Sequence, residues 1–221
     1  MRTSYHEELD SIIDRLVHMA ELAEAAIKTA SEALLTADLT KAETVITNDA
    51  ELDRLHEEME YKCLSLLALQ APVAGELRII VSAIRVVFEL ARMGDLAAHV
   101  AKIARLRYPA HAVPPQFQAS FAEMADIAIE VIDVARLSLQ DRDANQAKRL
   151  VEIDERMDDL RADQFTTMLA EDSGISIEGA VDVALLGRYF ERYADHAVAV
   201  GRRVIYIITG QVPEGEDWPN A

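Results

Sequence analysis

The chain has one cysteine, six prolines, eight glycines and only 5% aromatic residues among its 221 positions. Each scarcity excludes something. A single thiol, Cys63, forms no intramolecular disulfide, so nothing marks an oxidising compartment. Sandwiches and barrels consume Gly, Pro and Asn in turns and favour aromatic residues in strands, and this chain is short of both. Long apolar runs are lacking too. A charge-free stretch, residues 63–75, is interrupted by Pro72 and is far shorter than a membrane span. The first ten residues are polar and acidic, unlike a secretory leader. These features predict a cytoplasmic protein. Basic residues are also in deficit, 22 against 39 acids, for a net charge of −17. Such a field repels phosphate backbones and argues against direct binding of nucleic acid or an anionic membrane.

What remains is abundant: Ala, Leu, Ile, Val and acids, with 51% of the chain hydrophobic, which suits long helices packed in a core. Breakers and caps divide the chain into six. The first helix is predicted over residues 4–36, with Leu9, Ile12, Ile13, Leu16, Met19, Leu22, Ala26 and Ile27 at helical spacing. The second opens on an Asp38 cap, or on a Thr40–Glu43 capping box, and runs to Gln70. The third spans 74–107. Pro114 and Pro115 open the fourth, which ends near Gln140, and the fifth covers 142–169. Ser176 caps the sixth, which continues to Thr209 before a Gly210 stop. Short connections between such rods favour antiparallel neighbours. The expectation is an all-α protein of two repeated antiparallel three-helix bundles, residues 1–110 and 111–210, followed by an acidic flexible tail over 211–221.

An internal repeat supports the division. Arg92, Asp95, Ala97 and Val100 recur 100 positions later as Arg192, Asp195, Ala197 and Val200. Leu34, Asp38, Ala42, Asp49 and Asp53 recur 105 positions later as Leu139, Asp143, Ala147, Asp154 and Asp158. A loop five residues shorter in the second half would reconcile the two offsets.

Acidic pairs four residues apart share a helix face, yet such pairs alone mean little. With this composition about seven arise by chance, and the chain has nine. Geometry selects a few of them. Folding at residues 71–74 brings Asp49 and Asp53 level with Asp95 and Ala91. Folding at 171–176 brings Asp154 and Asp158 level with Asp195 and Glu191. Apposed carboxylates repel unless something neutralises them, and metal is one solution. Arginine is another: Arg92 and Arg192 stand three residues before Asp95 and Asp195. His99 lies one turn after Asp95, His196 pairs most simply with Arg192 or solvent, and Asp53 with His56 has the spacing of a ferritin-type ligand pair without its partner helix. No phosphate loop, nucleophile elbow or zinc spacing is present, so nothing supports catalysis.

The run from Gln70 through Pro72, Gly75 and Glu76 to Arg78 resembles the PhoU family. So do Arg92, Met93, Gly94 and Asp95, and the run from Arg188 through Glu191, Arg192 and Asp195 to Ala197. The likeness extends from Tyr5–Leu9 to about Gly210. It implies a cytoplasmic, non-enzymatic regulator of inorganic phosphate uptake and a homodimer. Such a regulator would connect the ATPase subunit of a phosphate ABC transporter to a membrane sensor histidine kinase, meeting the membrane only through these partners. It would repress the phosphate-starvation response when phosphate is plentiful. The family's Glu/Asp-x-x-x-Asp motifs further imply divalent or iron metal ions. The matching residues are Asp154, Asp158, Glu191 and Asp195 in the second repeat, and Asp49, Asp53 and Asp95 in the first. Ala91 stands where the family usually has Glu, and Glu89 is about 200° round the helix, so the first site is expected to be the weaker. The alternative reading of the same carboxylates is a ferritin-like metalloprotein.

Overall fold

Caps and breakers set the helix ends. The structure, a computed structural model, describes residues 2–171 and 173–211, with the side chains of 2–6 and 70 set aside. The acidic tail expected over 211–221 therefore lies, beyond Gln211, outside the described residues. Six long helices, and no strand among the described residues, make up the chain: α1 (Arg2–Thr36), α2 (Leu39–Gln70), α3 (Gly75–Arg107), α4 (Gln118–Asp141), α5 (Ala144–Leu169) and α6 (Ile177–Thr209). Asp38 caps α2 by accepting from the Lys41 N–H, and Ser176 caps α6 by accepting from the Gly179 N–H. Gly210 ends α6 in the left-handed conformation. Two boundaries differ from the sequence reading. The two prolines open a short 3-10 turn, Pro115–Phe117, before α4 begins. Arg142 terminates α4 instead of opening α5, for which Asp143 supplies the cap.

The repeat extends to this turn. Ala37 and Arg142, 105 apart, both take φ of 52°, each followed by an aspartate cap. The difference in offset has a different origin from the one expected. The second connection is longer, residues 170–176 against 71–74, and the shortening lies in helix: α5 has 26 residues where α2 has 32.

Within each repeat every helix packs on the other two, and the repeats join through α1 against α4 and α3 against α6. α3 and α6 run antiparallel. Going up α3, Glu89 meets His196, His99 stacks on Tyr189 and Arg107 meets Asp182. One continuous core results, filled by alanines such as Ala20, Ala23, Ala97 and Ala101 beside larger side chains such as Phe121 and Phe190. Small residues let long helices approach closely, which explains how so few aromatics suffice. Tyr193, fully buried, donates its hydroxyl to the Ala23 carbonyl at 3.0 Å and ties α6 to α1. No described helix is long and apolar enough to cross a membrane.

Because α1, α2 and α6 cover three sides of α3, one open stripe is left, with Arg85, Phe88, Arg92 and His99 exposed. On α6 the corresponding stripe exposes Leu185, Arg188, Arg192 and Asp195. The selected carboxylates border these stripes.

Candidate carboxylate sites between the long helices

In the first repeat, Gly94 sets the spacing of α2 and α3. A Cβ there would lie 2.5 Å from Leu52 Cδ1 and 3.5 Å from Asp49 Oδ1, so the Asp49 carboxylate abuts the backbone of α3. Burial raises the Asp49 pKa, and the nearby charges of Asp95 and Asp53 add to it, while Lys102 and His99 act the other way. The three aspartates thus share one field. Arg92 bonds Asp95 at 2.6 Å. A cavity of about 110 Å³, lined in part by Leu22, Thr29, Asn48, Asp49 and Gly94, opens beside Asp49. Ala91 is buried at the fourth position. Glu89 points away toward α6, where its Oε2 lies 2.6 Å from His196 Nδ1. That contact corrects the expectation for His196, which pairs across the two repeats and not with Arg192 or solvent; helix rotation aims it at α3. His56 packs edge-on against Phe88, with ring centroids 6.5 Å apart, and His99 stacks on Tyr189 at 5.1 Å.

In the second repeat all four carboxylates are present. Burial pushes the Asp154 pKa up to about 6, with Asp195 and Asp158 next in effect and Arg202 opposing. Asp158 is raised as well, by burial and then by Glu191 and Asp195. Asp154 Oδ1 is enclosed without a hydrogen-bond partner. An enclosed carboxylate oxygen among like charges fits a hard cation, whose ligands are oxygens. Here Arg188, and not Arg192, supplies the i,i+3 arginine contact, bonding Glu191 at 2.7 Å. Among the described residues no three His, Cys, Asp or Glu side chains converge closely enough to hold a metal ion.

Arg161 is the residue that sequence reasoning missed. It is 8% exposed and its Nε lies 3.7 Å from Glu191 Oε2. On a helix as acidic as α5 it reads as solvated surface. The available signal was Gly187, whose missing Cβ would meet Arg161 Nη1 at 2.8 Å and Gln164 Oε1 at 2.5 Å.

A duplicated three-helix bundle with an acidic cluster between the last two helices of each copy defines the class: an all-helical protein built as an internal repeat. The chain belongs to the PhoU family. The PhoU domain model matches it twice, over residues 16–104 and 121–204. It is 47% identical over 213 residues to the phosphate-specific transport system accessory protein PhoU homolog 2 of Mycobacterium tuberculosis, covering 96% of this chain and all of that protein. It is 45% identical over 221 residues to PhoU homolog 1 of Mycobacterium leprae, covering both chains in full. PhoU from Pseudomonas aeruginosa, whose crystal structure is known, superposes with a TM-score of 0.86 at 26% identity, covering 94% of this chain and all of that one.

Proposed function

We propose that the protein is a cytoplasmic, non-enzymatic regulator of inorganic phosphate uptake. It couples the ATPase subunit of a phosphate ABC transporter to a membrane sensor histidine kinase and represses the starvation response when phosphate is plentiful. The observation that carries this reading is the end-to-end identity of 47% with a phosphate-specific transport system accessory protein. The acidic surface favours partners with basic docking faces, for which charge complementarity supplies steering and specificity. The working form in this reading is a homodimer, at the membrane only through its partners.

The carboxylate clusters are part of the proposal. Asp154, Asp158, Glu191 and Asp195 would hold a divalent or iron ion in the second repeat, and Asp49, Asp53 and Asp95 a more weakly held one in the first. When bound, the ion supplies the positive charge that the clustered carboxylates lack. What supports this is the enclosed, unpartnered Asp154 Oδ1 and the raised pKa of Asp154.

Affinity capture of the tagged full chain from cells at high and at low phosphate, read by mass spectrometry, tests the coupling. The transporter ATPase and a sensor kinase are expected among the recovered proteins in at least one condition. Recovery of neither in both conditions contradicts the reading.

A further inference from the structure

The two repeats differ at two matched positions, and the differences go together. The offset of α2 and α5 pairs His56 with Arg161, and the offset of α3 and α6 pairs Ala91 with Glu191. The repeat with the fourth carboxylate has an arginine facing it. The repeat without that carboxylate has no arginine at the matching place, and His56 there packs on Phe88.

Arg161 is held from several sides. Its Nη2 donates to the Ala184 carbonyl at 3.0 Å, and its guanidinium lies 4.0 Å from the Phe165 ring centroid. Nε and Nη1 have no hydrogen-bond partner, although Nε stands 3.7 Å from Glu191 Oε2. The absence of a Cβ at Gly187 makes the room. A guanidinium buried to this degree is costly unless an opposite charge lies close, and Glu191 is that charge. Burial lowers the Arg161 pKa and Glu191 works against the shift.

We propose that Arg161 is the resident counter-cation of the second carboxylate cluster, and that a metal ion must displace it from Glu191 before Glu191 can serve as a ligand. The inference rests on the metal reading above. It makes Arg161 a built-in competitor that narrows the advantage Glu191 gives the second site over the first. Glu191 has a guanidinium on either side, Arg161 at 3.7 Å and Arg188 at 2.7 Å.

Calorimetric titration of the full chain with Mn²⁺ tests this, using wild type, Arg161→Met and Arg161→Gln. Neither substitute adds a charged ligand, and Met keeps the apolar stem. Arg156→Gln is the control, because it removes the same charge from an exposed pair with Glu130. Both Arg161 variants are expected to bind Mn²⁺ roughly tenfold tighter at one class of site, with Arg156→Gln unchanged. A second readout needs no metal. Glu191→Ala should lower the urea midpoint clearly in wild type, where it strands a buried cation, and much less in the Arg161→Met background. Saturable Mn²⁺ binding to wild type that is unchanged or weaker in both Arg161 variants overturns the inference and leaves the metal reading standing. Equal tightening in Arg156→Gln overturns it as well, reducing the effect to net charge. No saturable binding by any of the proteins overturns the metal reading, and this inference with it.

Discussion

Asp154 shows what an uncompensated carboxylate does to the folded chain. Its pKa of about 6 lies above the ordinary 3.8. The folded state therefore binds this proton more readily than the unfolded state. Between about pH 4 and pH 7 the stability contributed by this group falls as pH rises, and the penalty is complete by about pH 7. Asp154→Asn removes it. In chelator-treated protein at pH 7.5, urea unfolding is expected to show the variant more stable than wild type. The gain should be on the order of 1 kcal/mol once solvent screening is allowed for, shrinking to nothing by pH 4. Equal stability of the two at pH 7.5 contradicts the assignment. The place of Asp154 was legible from the sequence because helical rise fixes height along a bundle. The role of Arg161 was not, because the burial of a charged side chain on α5 depends on a glycine in α6.

Among the helices, ends were more legible than connections. Asp38, Ser176 and Gly210 act through local hydrogen bonds and left-handed backbone, which their residue types announce. The five-residue difference between the repeats was readable from the two offsets but its place was not, since a helix and a loop can exchange residues without moving the matched positions. Rotation was partly legible: Glu89 falls on the α6 side of α3, as its angular separation from Ala91 requires, but its partner His196 emerges only when α6 packs antiparallel. The two helix pairs carry a prediction of their own. With Glu191 in one cluster and Ala91 in the other, Asp195→Ala should remove more bound metal than Asp95→Ala when both proteins are loaded with Mn²⁺, dialysed and analysed by atomic emission. Equal losses would contradict the inequality of the sites.

Over the whole molecule the charge is divided by layer. α3 and α6 hold 10 of the 22 basic residues and only 7 of the 39 acids. The surplus of acid thus belongs to α1, α2, α4, α5, the connections and the C-terminal segment. The two inner helices meet each other through the Arg107–Asp182 pair, at 2.6 Å, and the Glu89–His196 contact. In the proposed function, an acidic periphery around an arginine-bearing open face would sort protein partners by charge pattern. The duplication and the all-helical class could be read from offsets and composition, whereas the antiparallel seating of the halves depends on packing between distant residues.

The central claim, repression of the starvation response when phosphate is plentiful, is tested most directly by a transcriptional reporter for that response. The reporter is placed in cells lacking the protein and in the same cells complemented with the full chain. At high phosphate the account predicts reporter activity without the protein and silence on complementation. A reporter that stays silent at high phosphate without the protein would contradict it.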